Sequence, residues 1–387
     1  MRATFLPFAR PWIGEEEIAE LLDTLRSGWI TTGPKVERFA AAFAEYVEGR
    51  YAVPVSSATA GLHVALLALG VGPGDEVITT PMTFVATLNT IVHCGARPVL
   101  ADIDAATRNI RVEEIARLLS PRTKAIVPVH YVGQPADLDP ILELASSRGV
   151  AVLEDAAHAV GAEYKGRRIG SFPTTSVFSF HPNKNMTTGE GGMVVTEDES
   201  VFEKASLLKF HGMDREAWKR FAKAGSPRYD VAVPGFKYNM MDIQAALGLH
   251  QLKRLEGFLR DRERLAARYN ERFAGVSGLI LPQRVSYPVR HAWHLYTPLL
   301  DLERLTIDRD RFLAELKKRN IGAGLHYTAA HEFSYYASEF GWRPEDFPEA
   351  HFVSERILSL PLFPGLTEED QDDVIEAVTE VLGEFRR

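Results

Sequence analysis

Residues 176–192 read SVFSFHPNKNMTTGEGG, and this stretch decides which fold the chain can adopt. Its first half has the apolar residues of a buried strand, and its last glycines lead into another strand. Lys184 lies in the loop between the two strands, among small and polar residues. A lysine at a strand end can reach a bound cofactor, and its amine can form a Schiff base with an aldehyde. The stretch therefore predicts a ligand site at the edge of a buried sheet.

A second apolar strand precedes this stretch and ends in an acidic residue. Residues 150–153 read VAVL and are followed by EDAAH, which contains Asp155. Pyridoxal phosphate (PLP) needs a lysine that captures its aldehyde and an acidic partner for its ring nitrogen. The pairing of Asp155 with Lys184 predicts PLP as the cofactor and suggests an aminotransferase. Each residue alone has a simpler explanation, since Asp155 would also cap a helix and most lysines are solvated surface charges.

A loop of small residues offers a place for the cofactor phosphate. Residues 56–61 read SSATAG and join a strand to a helix, so free N–H groups and the helix dipole would face an anion. The hydroxyl of Ser57 or Thr59 can add a hydrogen bond, and Ser179 is placed to donate to the same phosphate. The same loop is also typical of an ordinary helix N-cap, so it does not establish an anion site by itself.

Three further features are compatible with the site but do not define it. His158, three residues after Asp155, could contact the cofactor ring or its phenolic oxygen, or could equally be a core histidine. Phe84 could stack on the ring, although a lone aromatic residue is more often part of the core. Residues 235–246, GFKYNMMDIQAA, are either a helix cap or a site loop.

Composition excludes several other classes of protein. The chain has 387 residues, enough for two domains, with 45% hydrophobic and 25% charged residues, as in ordinary globular enzymes. A net charge of −8 argues against non-specific nucleic-acid binding. Cys94 is the single cysteine, which excludes an internal disulfide and a cysteine metal cluster, and no metal ligands are predicted. Without a signal peptide at the N-terminus or a window of about 20 apolar residues, we expect a cytoplasmic protein with no membrane span.

Hydrophobic periodicity predicts alternating strands and helices through the first two thirds of the chain. An amphipathic helix over 15–27 has Ile18, Leu21, Leu22 and Leu25 at helical spacing, and Gly28 ends it. The other predicted helices cover residues 34–47, 62–69, 83–94, 112–119 and 138–148. The predicted strands cover residues 51–55, 76–80, 98–102, 125–129, 151–154, 176–181 and 192–196. This alternation predicts a largely parallel α/β sheet covered by helices on both faces, with ligands outside the carboxyl ends of the strands.

The pattern changes after about residue 250. A long helix over 241–273, strands near 294–300, and helices over 308–319 and 367–385 predict a smaller α+β domain. The predicted division is a large PLP-binding α/β domain over 1–250 and a small C-terminal domain over 251–387.

The chain resembles the DegT/DnrJ/EryC1/StrS family of sugar aminotransferases nearly from end to end. The motifs that carry this resemblance are residues 27–34 (SGWITTGP), 56–61, 154–158, 178–181 with 184–185, 190–192, 238–240 and 242–246. The family implies the aspartate-aminotransferase architecture, fold type I. Within the family the similarity is strongest to members that form UDP-4-amino-4-deoxy-L-arabinose, through residues 5–11, 127–131, 291–296 and 322–331.

The resemblance implies a catalytic and cofactor-binding role for several residues by position. Lys184 would bind the cofactor aldehyde and act as acid and base, Asp155 would pair with the ring nitrogen, and His158 would contact the ring. The implied phosphate ligands are Ala58, Thr59 and Ser179. Related dehydratases replace the lysine with histidine, so Lys184 argues against that branch.

The resemblance also implies a homodimer with shared active sites and a nucleotide-sugar substrate. Asn239 would reach the phosphate of the neighbouring subunit's cofactor. His326 and a loop of Trp29, Ile30 and Thr31 would border the sugar. Phe84 occupies a stacking position where the arabinose-forming members carry tryptophan.

The implied reaction transfers the amino group of L-glutamate to a 4-keto nucleotide sugar, with a UDP-4-keto-pentose as the first candidate. The alternatives are another 4-keto-6-deoxy sugar linked to UDP, GDP or dTDP, and, more remotely, a PLP-binding regulatory protein without turnover. Arg10, Arg228 and Lys237 are equal candidates for binding the diphosphate, which needs cationic partners.

Overall fold

A seven-stranded sheet forms the centre of the molecule. The computed structural model describes residues 2–213 and 228–387. The strands of the described residues are β1 (Tyr51–Val55), β2 (Glu76–Thr79), β3 (Arg97–Leu100), β4 (Thr123–Ile126), β5 (Ala151–Asp155), β6 (Glu163–Tyr164), β7 (Arg167–Arg168), β8 (Thr175–Ser179), β9 (Gly192–Thr196), β10 (Leu279–Ile280), β11 (Val289–Arg290) and β12 (Leu299–Leu300). The central sheet has the order β1-β9-β8-β5-β4-β2-β3.

The sheet is mostly parallel, which confirms the predicted fold class. Parallel pairing joins β3 to β2, β2 to β4, β4 to β5 and β5 to β8. Strand β9 is antiparallel to both of its neighbours, β8 and β1. Because β8 and β9 are joined by the loop that carries Lys184, the chain reverses direction at that lysine and returns directly beside β8.

Most of the helices fall where periodicity predicts them. The helices of the described residues are α1 (Glu15–Ser27), α2 (Pro34–Val47), α3 (Ala58–Ala68), α4 (Ala86–His93), α5 (Val112–Leu118), α6 (Leu138–Arg148), α7 (Glu199–Leu208), α8 (Asp242–Arg272), α9 (Arg309–Lys318), α10 (Ser334–Phe340), α11 (Pro348–Arg356) and α12 (Glu368–Glu384), with short 3₁₀ turns elsewhere. The sequence did not predict α7, α10 or α11.

Two helix starts differ from the prediction for local reasons. Helix α3 begins at Ala58 rather than Leu62, because the Ser57 hydroxyl accepts the Ala60 N–H at 3.1 Å and caps the helix there. Helix α4 begins at Ala86 rather than residue 83. The preceding residues form a bend in which the Thr80 hydroxyl accepts the Met82 N–H at 3.2 Å. Phe84 therefore lies in this bend, not on the helix.

Strand β8 shows how the two faces of the sheet are covered. Val177 packs in one buried cluster with α3 and α7, whereas Phe178 packs in a second cluster with α2 and α8. The ring of Phe43 on α2 lies 5.1 Å from that of Phe178, edge to face. The alternation of side chains along the strand thus anchors it between two helical layers.

Helix α1 does not bury the apolar side that its spacing defines. Ile18, Leu22 and Leu25 are between 42% and 51% exposed, whereas the residues that α1 buries are Glu17 and Thr24. Glu17 accepts a hydrogen bond from Gln251 of α8 at 3.0 Å. Polar contacts therefore attach α1 to α8, and its apolar stripe remains on the surface of the single chain.

The C-terminal part has its own buried cluster, formed by the end of α8 with α9 and α12. Helix α8 is continuous from Asp242 to Arg272 and so crosses the predicted domain boundary near residue 250, which stays a prediction. Of the strands predicted near 294–300, the structure forms β12, which pairs with β10. Among the described residues, none of the helices has the length and hydropathy that crossing a bilayer requires.

Replacing Gly61 with alanine tests the packing of α3 on the sheet. A Cβ there would lie 2.8 Å from Val177 Cγ1 and 3.3 Å from Val194 Cγ2, so Gly61→Ala should lower the free energy of unfolding by about 1–3 kcal/mol. Gly383→Ala on α12 is the control, because its Cβ would meet nothing within 4 Å and alanine favours a helix by up to about 1 kcal/mol. Denaturant unfolding of both variants measures the difference, and equal stabilities would contradict this packing.

Candidate active site

The carboxyl ends of β5 and β8 and the amino end of α3 meet at one cavity of about 230 Å³. Nine of the predicted site residues line this cavity: Ser57, Ala58, Thr59, Phe84, Asp155, His158, Ser179, Lys184 and His326. They come from five separate stretches of the chain, and the parallel order β8-β5 brings those that follow these two strands to one edge of the sheet.

Asp155 is the buried carboxylate of the cavity. It is the last residue of β5 and is 5% exposed. The Thr87 hydroxyl donates to its Oδ2 at 2.7 Å, and the Ala157 N–H donates to its Oδ1 at 3.1 Å. Burial raises the pKa of Asp155, while these two donors and the charge of Lys184 oppose that rise. Both oxygens are thus fixed in direction by the protein.

Lys184 reaches the same cavity from the loop after β8. Burial lowers the pKa of its amine to about 8, and the negative charge of Asp155 opposes this shift. Its Nζ lies 3.5 Å from Nε2 of His294. A larger fraction of such an amine is uncharged near neutral pH than of an ordinary lysine, and the uncharged form is the one that attacks a carbonyl carbon.

His158 is held in one orientation by two hydrogen bonds. Its Nδ1 accepts the Val132 N–H at 3.3 Å, so we infer that Nε2 carries the proton and donates to the Tyr327 hydroxyl at 2.9 Å. Burial lowers the pKa of His158 well below its usual value, and the charge of Lys184 adds to the effect. The ring of His294 lies 4.5 Å away from that of His158. The imidazole is therefore a neutral, oriented wall of the cavity.

The opposite end of the cavity has the features of an anion site. The N–H groups of Ala58 and Thr59 belong to the first turn of α3, ahead of its first intrahelical hydrogen bonds. Strand β9 begins against this turn, so close that a Cβ on Gly192 would lie 2.7 Å from the nitrogen of Ala58. Only glycine leaves the turn undisturbed at that position. The Ser179 side chain lines the same cavity.

Four of the predicted site residues lie outside the set that lines this cavity: Asn239, Trp29, Ile30 and Thr31. Hydrogen bonds instead join the segment of Trp29, Ile30 and Thr31 to the segment of Asn239. The Asn239 amide donates to the Thr32 hydroxyl at 2.6 Å, and the Trp29 indole N–H donates to the Thr32 carbonyl at 2.8 Å. The Thr31 carbonyl accepts the Asp242 N–H at 2.9 Å. Within a single chain, the Trp29–Thr32 loop is therefore bonded to residues 239–242. Neither segment lines the cavity of that chain.

The three candidates for the diphosphate also lie outside the cavity lining. Arg10 and Arg228 are exposed. The Lys237 amine lies 4.2 Å above the ring of Phe210, and burial lowers the pKa of Lys237. None of these positions ranks one candidate above the others.

Sequence reasoning missed three residues that the structure brings to the site. Thr87 orients Asp155, Tyr327 binds His158, and His294 lies beside Lys184. Tyr327 and His294 belong to stretches 322–331 and 291–296, which carried the resemblance but gave no role to these residues. Thr87 gives no signal in the sequence, since a threonine within an apolar helix is ordinary.

The residues present fit PLP. The cavity offers a lysine with a lowered pKa, a buried carboxylate that can face a ring nitrogen, and the first turn of a helix for a phosphate. Strand β9 lies so close to this turn that a Cβ on Gly192 would fill the space beside it. The fold and the site together define a PLP-dependent aminotransferase with the fold type I architecture.

Comparison with known proteins gives the family. The model of the DegT/DnrJ/EryC1/StrS aminotransferase family matches residues 11–379. The chain belongs to this family and is a PLP-dependent sugar aminotransferase, which confirms the predicted family, class of enzyme and cofactor.

Similar proteins occur in archaea and bacteria. The chain is 50% identical over 386 residues to the uncharacterized protein MJ1066 of Methanocaldococcus jannaschii, covering 100% of both chains. It is 49% identical over 382 residues to the spore coat polysaccharide biosynthesis protein SpsC of Bacillus subtilis, covering 98% of each. The structure of Spr1654 from Streptococcus pneumoniae, described as a sugar aminotransferase in its PMP form, superimposes with a TM-score of 0.91 at 34% identity, over 98% of this chain and 99% of that one.

The depressed pKa of Lys184 predicts how its reactivity depends on pH. In protein freed of PLP, acylation of Lys184 should rise as the pH passes through about 8, because the amine loses its proton there. Lys35 is the internal reference. Burial lowers the pKa of its amine, but the bonds to Asp23 and Glu20 outweigh this effect and raise the pKa above its usual value. Mass spectrometry of pulse-labelled peptides measures both rates. Equal pH profiles for the two lysines would contradict the assignment.

Proposed function

We propose that the protein transfers the amino group of L-glutamate to the 4-keto carbon of a nucleotide-linked sugar. The observation that carries the proposal is the single cavity that unites Lys184, Asp155 and the first turn of α3 at the strand ends. Membership of a sugar aminotransferase family supports a keto sugar as the acceptor. The identity of 49% with a spore coat polysaccharide biosynthesis protein supports an amino sugar that is made for a polysaccharide.

Bound PLP would supply an electron sink for the carbon that loses its proton. Three parts of the chain would hold it: the N–H groups of Ala58 and Thr59 with the hydroxyls of Ser57 and Ser179 at the phosphate, Asp155 at the ring nitrogen, and Lys184 at the aldehyde. His158 and Phe84 would border the ring from the positions that they occupy in the cavity wall.

Lys184 would move the proton of the reaction. Its Nζ, when uncharged, would accept the α-proton of the amino donor and would later release that proton again. Its pKa of about 8 places the amine close to the pH at which it can both accept and release that proton. Nε2 of His294 lies 3.5 Å from Nζ of Lys184, so the imidazole would be next to the amine during this transfer.

Asp155 would keep a proton on the ring nitrogen. Hydrogen bonds from Thr87 and Ala157 hold the carboxylate of Asp155 in one orientation. It therefore does not need to reorganise during the reaction. A cationic side chain could not take the place of Asp155, because the ring nitrogen needs a negatively charged partner.

His326 and Tyr327 would border the sugar from the cavity wall that they help to form. The Nδ1 of His326 lies 2.9 Å from the Ser359 hydroxyl, and burial together with the charge of Lys184 lowers the pKa of His326 to about 4. The imidazole is thus neutral at physiological pH and offers a hydrogen bond rather than a charge. Such a wall suits the hydroxyl groups of a sugar.

The preferred acceptor is a UDP-4-keto-pentose, which would make the product UDP-4-amino-4-deoxy-L-arabinose. This choice comes from the motifs shared with the arabinose-forming members. Because Phe84 stands where those members carry tryptophan, a 4-keto-6-deoxy-hexose is the alternative acceptor. A regulatory protein that binds PLP without turnover is the remote alternative, and the complete set of Lys184, Asp155 and the α3 turn argues against it.

A panel of acceptors tests the function. With L-glutamate and UDP-, GDP- or dTDP-linked 4-keto sugars, we expect 2-oxoglutarate and one amino sugar to form in equal amounts, with the UDP-4-keto-pentose as the best acceptor. Lys184→Arg keeps the positive charge but should lose at least about 10³-fold in rate, since guanidinium remains protonated. Mass spectrometry of the sugar products measures the outcome, and a protein that retains PLP but aminates no acceptor would favour the regulatory alternative.

We further propose that the protein acts as a homodimer with shared active sites. The exposed stripe of Ile18, Leu22 and Leu25 on α1 is an apolar surface that a second subunit could cover. The Trp29–Thr32 loop follows α1 directly and is bound to Asn239, so a partner that covers α1 would also meet these residues. This arrangement supports the expectation that Asn239 reaches the neighbouring subunit's cofactor, and we propose that the Trp29 loop borders the sugar in that same cavity.

A charge in the α1 stripe should separate the subunits. Leu22→Glu would place a carboxylate in the apolar contact, and we expect the mass by light scattering to fall from twice 43.1 kDa to 43.1 kDa, with a matching loss of activity. Tyr335→Glu is the control, because Tyr335 on α10 is 53% exposed but lies outside this stripe. Circular dichroism establishes that both variants fold. A wild-type monomer with full activity would overturn the proposal.

A further inference from the structure

Three potential metal-binding side chains meet behind the wall of the active site. After His326 and Tyr327, the chain makes a 3₁₀ turn over Ala330–Glu332 and packs against α11. His331 and Glu332 of the turn and His351 of α11 bring one ligand atom each to within 4.8 Å of one another. The proposed reaction uses none of these three side chains.

His331 has an unusual environment for a buried polar residue. It is 1% exposed, and neither of its ring nitrogens has a hydrogen-bond partner among the described residues. Oε1 of Glu332 lies 3.7 Å from Nε2 of His331, which is too long for a hydrogen bond. Burying an imidazole without partners costs free energy, so a ligand that binds this nitrogen would remove an unfavourable feature of the fold.

The other two side chains are already arranged around the same point. Nδ1 of His351 lies 2.7 Å from Oε1 of Glu332, and the Ser354 hydroxyl donates to Oε2 of Glu332 at 2.8 Å. Ser354 Oγ also accepts the Ala329 N–H at 2.9 Å. The carboxylate is therefore held between a hydroxyl and an imidazole, and the oxygen that pairs with His351 is also the one nearest to Nε2 of the buried His331.

We propose that His331, Glu332 and His351 form a binding site for a divalent transition-metal ion, with Zn²⁺ as the best match. Two imidazoles and one carboxylate are a donor set that Zn²⁺ accepts, whereas Mg²⁺ and Ca²⁺ prefer oxygen ligands. Ligand atoms around tetrahedral Zn²⁺ lie roughly 3.3 Å apart, so the present separations need only small side-chain movements. The His351 side chain is 35% exposed, which leaves a path for the ion and a water at the fourth position.

The surroundings also supply a partner for the second nitrogen of His351. A histidine that binds zinc through one ring nitrogen usually donates the other N–H to a carboxylate or carbonyl. Nε2 of His351 lies 3.7 Å from Oε2 of Glu355, one turn further along α11. When the metal takes Nδ1, the imidazole carries its proton on Nε2, and a small movement of Glu355 would bring its carboxylate within hydrogen-bond distance of that N–H.

The bound ion would join the active-site wall to α11. His331 and Glu332 lie within six residues of His326 and Tyr327, and the structure already ties this segment to α11 through Ser354. A metal bond between the same two elements would hold the wall more firmly. The site would thus be structural, separate from the PLP cavity.

Zinc titration of the holoenzyme tests the site. After treatment with a chelator, the wild-type protein should bind one Zn²⁺ per chain in competition with a chromophoric indicator, and Zn²⁺ should raise the Tm. His351→Gln changes a partly exposed residue and should weaken zinc binding at least about tenfold. His331→Asn should do the same, with unfolding in the absence of zinc measured to establish that it folds.

His250→Gln is the matched control, because Nε2 of His250 forms a similar pair with Glu20 at 3.1 Å elsewhere on the surface and should leave zinc affinity unchanged. Retained PLP absorbance in all the variants separates this site from the cofactor cavity. Absence of stoichiometric binding by the wild-type protein would overturn the proposal. Binding with undiminished affinity in His351→Gln would do so as well, since the ion would then lie at another site.

Discussion

The active site depends on keeping one carboxylate charged inside the protein. Asp155 ends β5 in a place where burial favours the protonated form, and two hydrogen-bond donors together with the charges of Lys184 and His130 oppose that effect. A buried charge without such partners is strongly unfavourable. The neighbouring backbone is held equally firmly, because Glu154 of the same strand binds His130 at 2.7 Å and the His130 N–H donates to the Asp155 carbonyl at 3.1 Å. The charge can therefore be placed accurately because the strand that carries it cannot shift.

The proposed phosphate site is shaped by close packing rather than by charge. Helix α3 approaches the sheet at Gly61, and β9 approaches the first turn of α3 at Gly192, so both glycines bring backbone into contact with its neighbours. The antiparallel return of β9 makes this possible, since its first residue lies next to the last residue of β8. The loop that carries Lys184 has to close between these two strand ends. One short reversal of the chain thus places the lysine and also shapes the proposed phosphate site.

Much of this arrangement could be predicted from the sequence, and the failures have physical causes. Continuous apolar strands and helical spacing gave nearly all of the central sheet, and strand-end residues such as Asp155 and Lys184 were found because parallel strands end at one edge. His294 and Tyr327 were missed as site residues because they lie more than 100 positions after Lys184 and each is surrounded by core-like residues. The stripe on α1 has the spacing of a buried face, yet Ile18 is 42% exposed. Periodicity identifies an apolar side but does not say whether the same chain covers it. His331 gave no signal, because its isolation becomes visible only when its neighbours are placed.

The two buried groups at the centre have opposite consequences for the stability of the protein without cofactor. The pKa of Lys184 is about 8 in the folded chain and 10.5 for an ordinary lysine, so its burial destabilises the fold at pH values below about 8, where both states are protonated. That cost decreases as the pH rises from about 8 towards 10.5, because the folded state then holds the neutral amine. Asp155 has a raised pKa, so its contribution changes in the opposite direction and is least favourable once the carboxyl is ionised in both states. The fold therefore carries an unfavourable pair at neutral pH, and the attraction between the two charges offsets only part of it. A site of this kind has to be supported by the packing around it, which explains why the walls come from segments as distant as β5, β8 and residues 326–327, each anchored to a different part of the core.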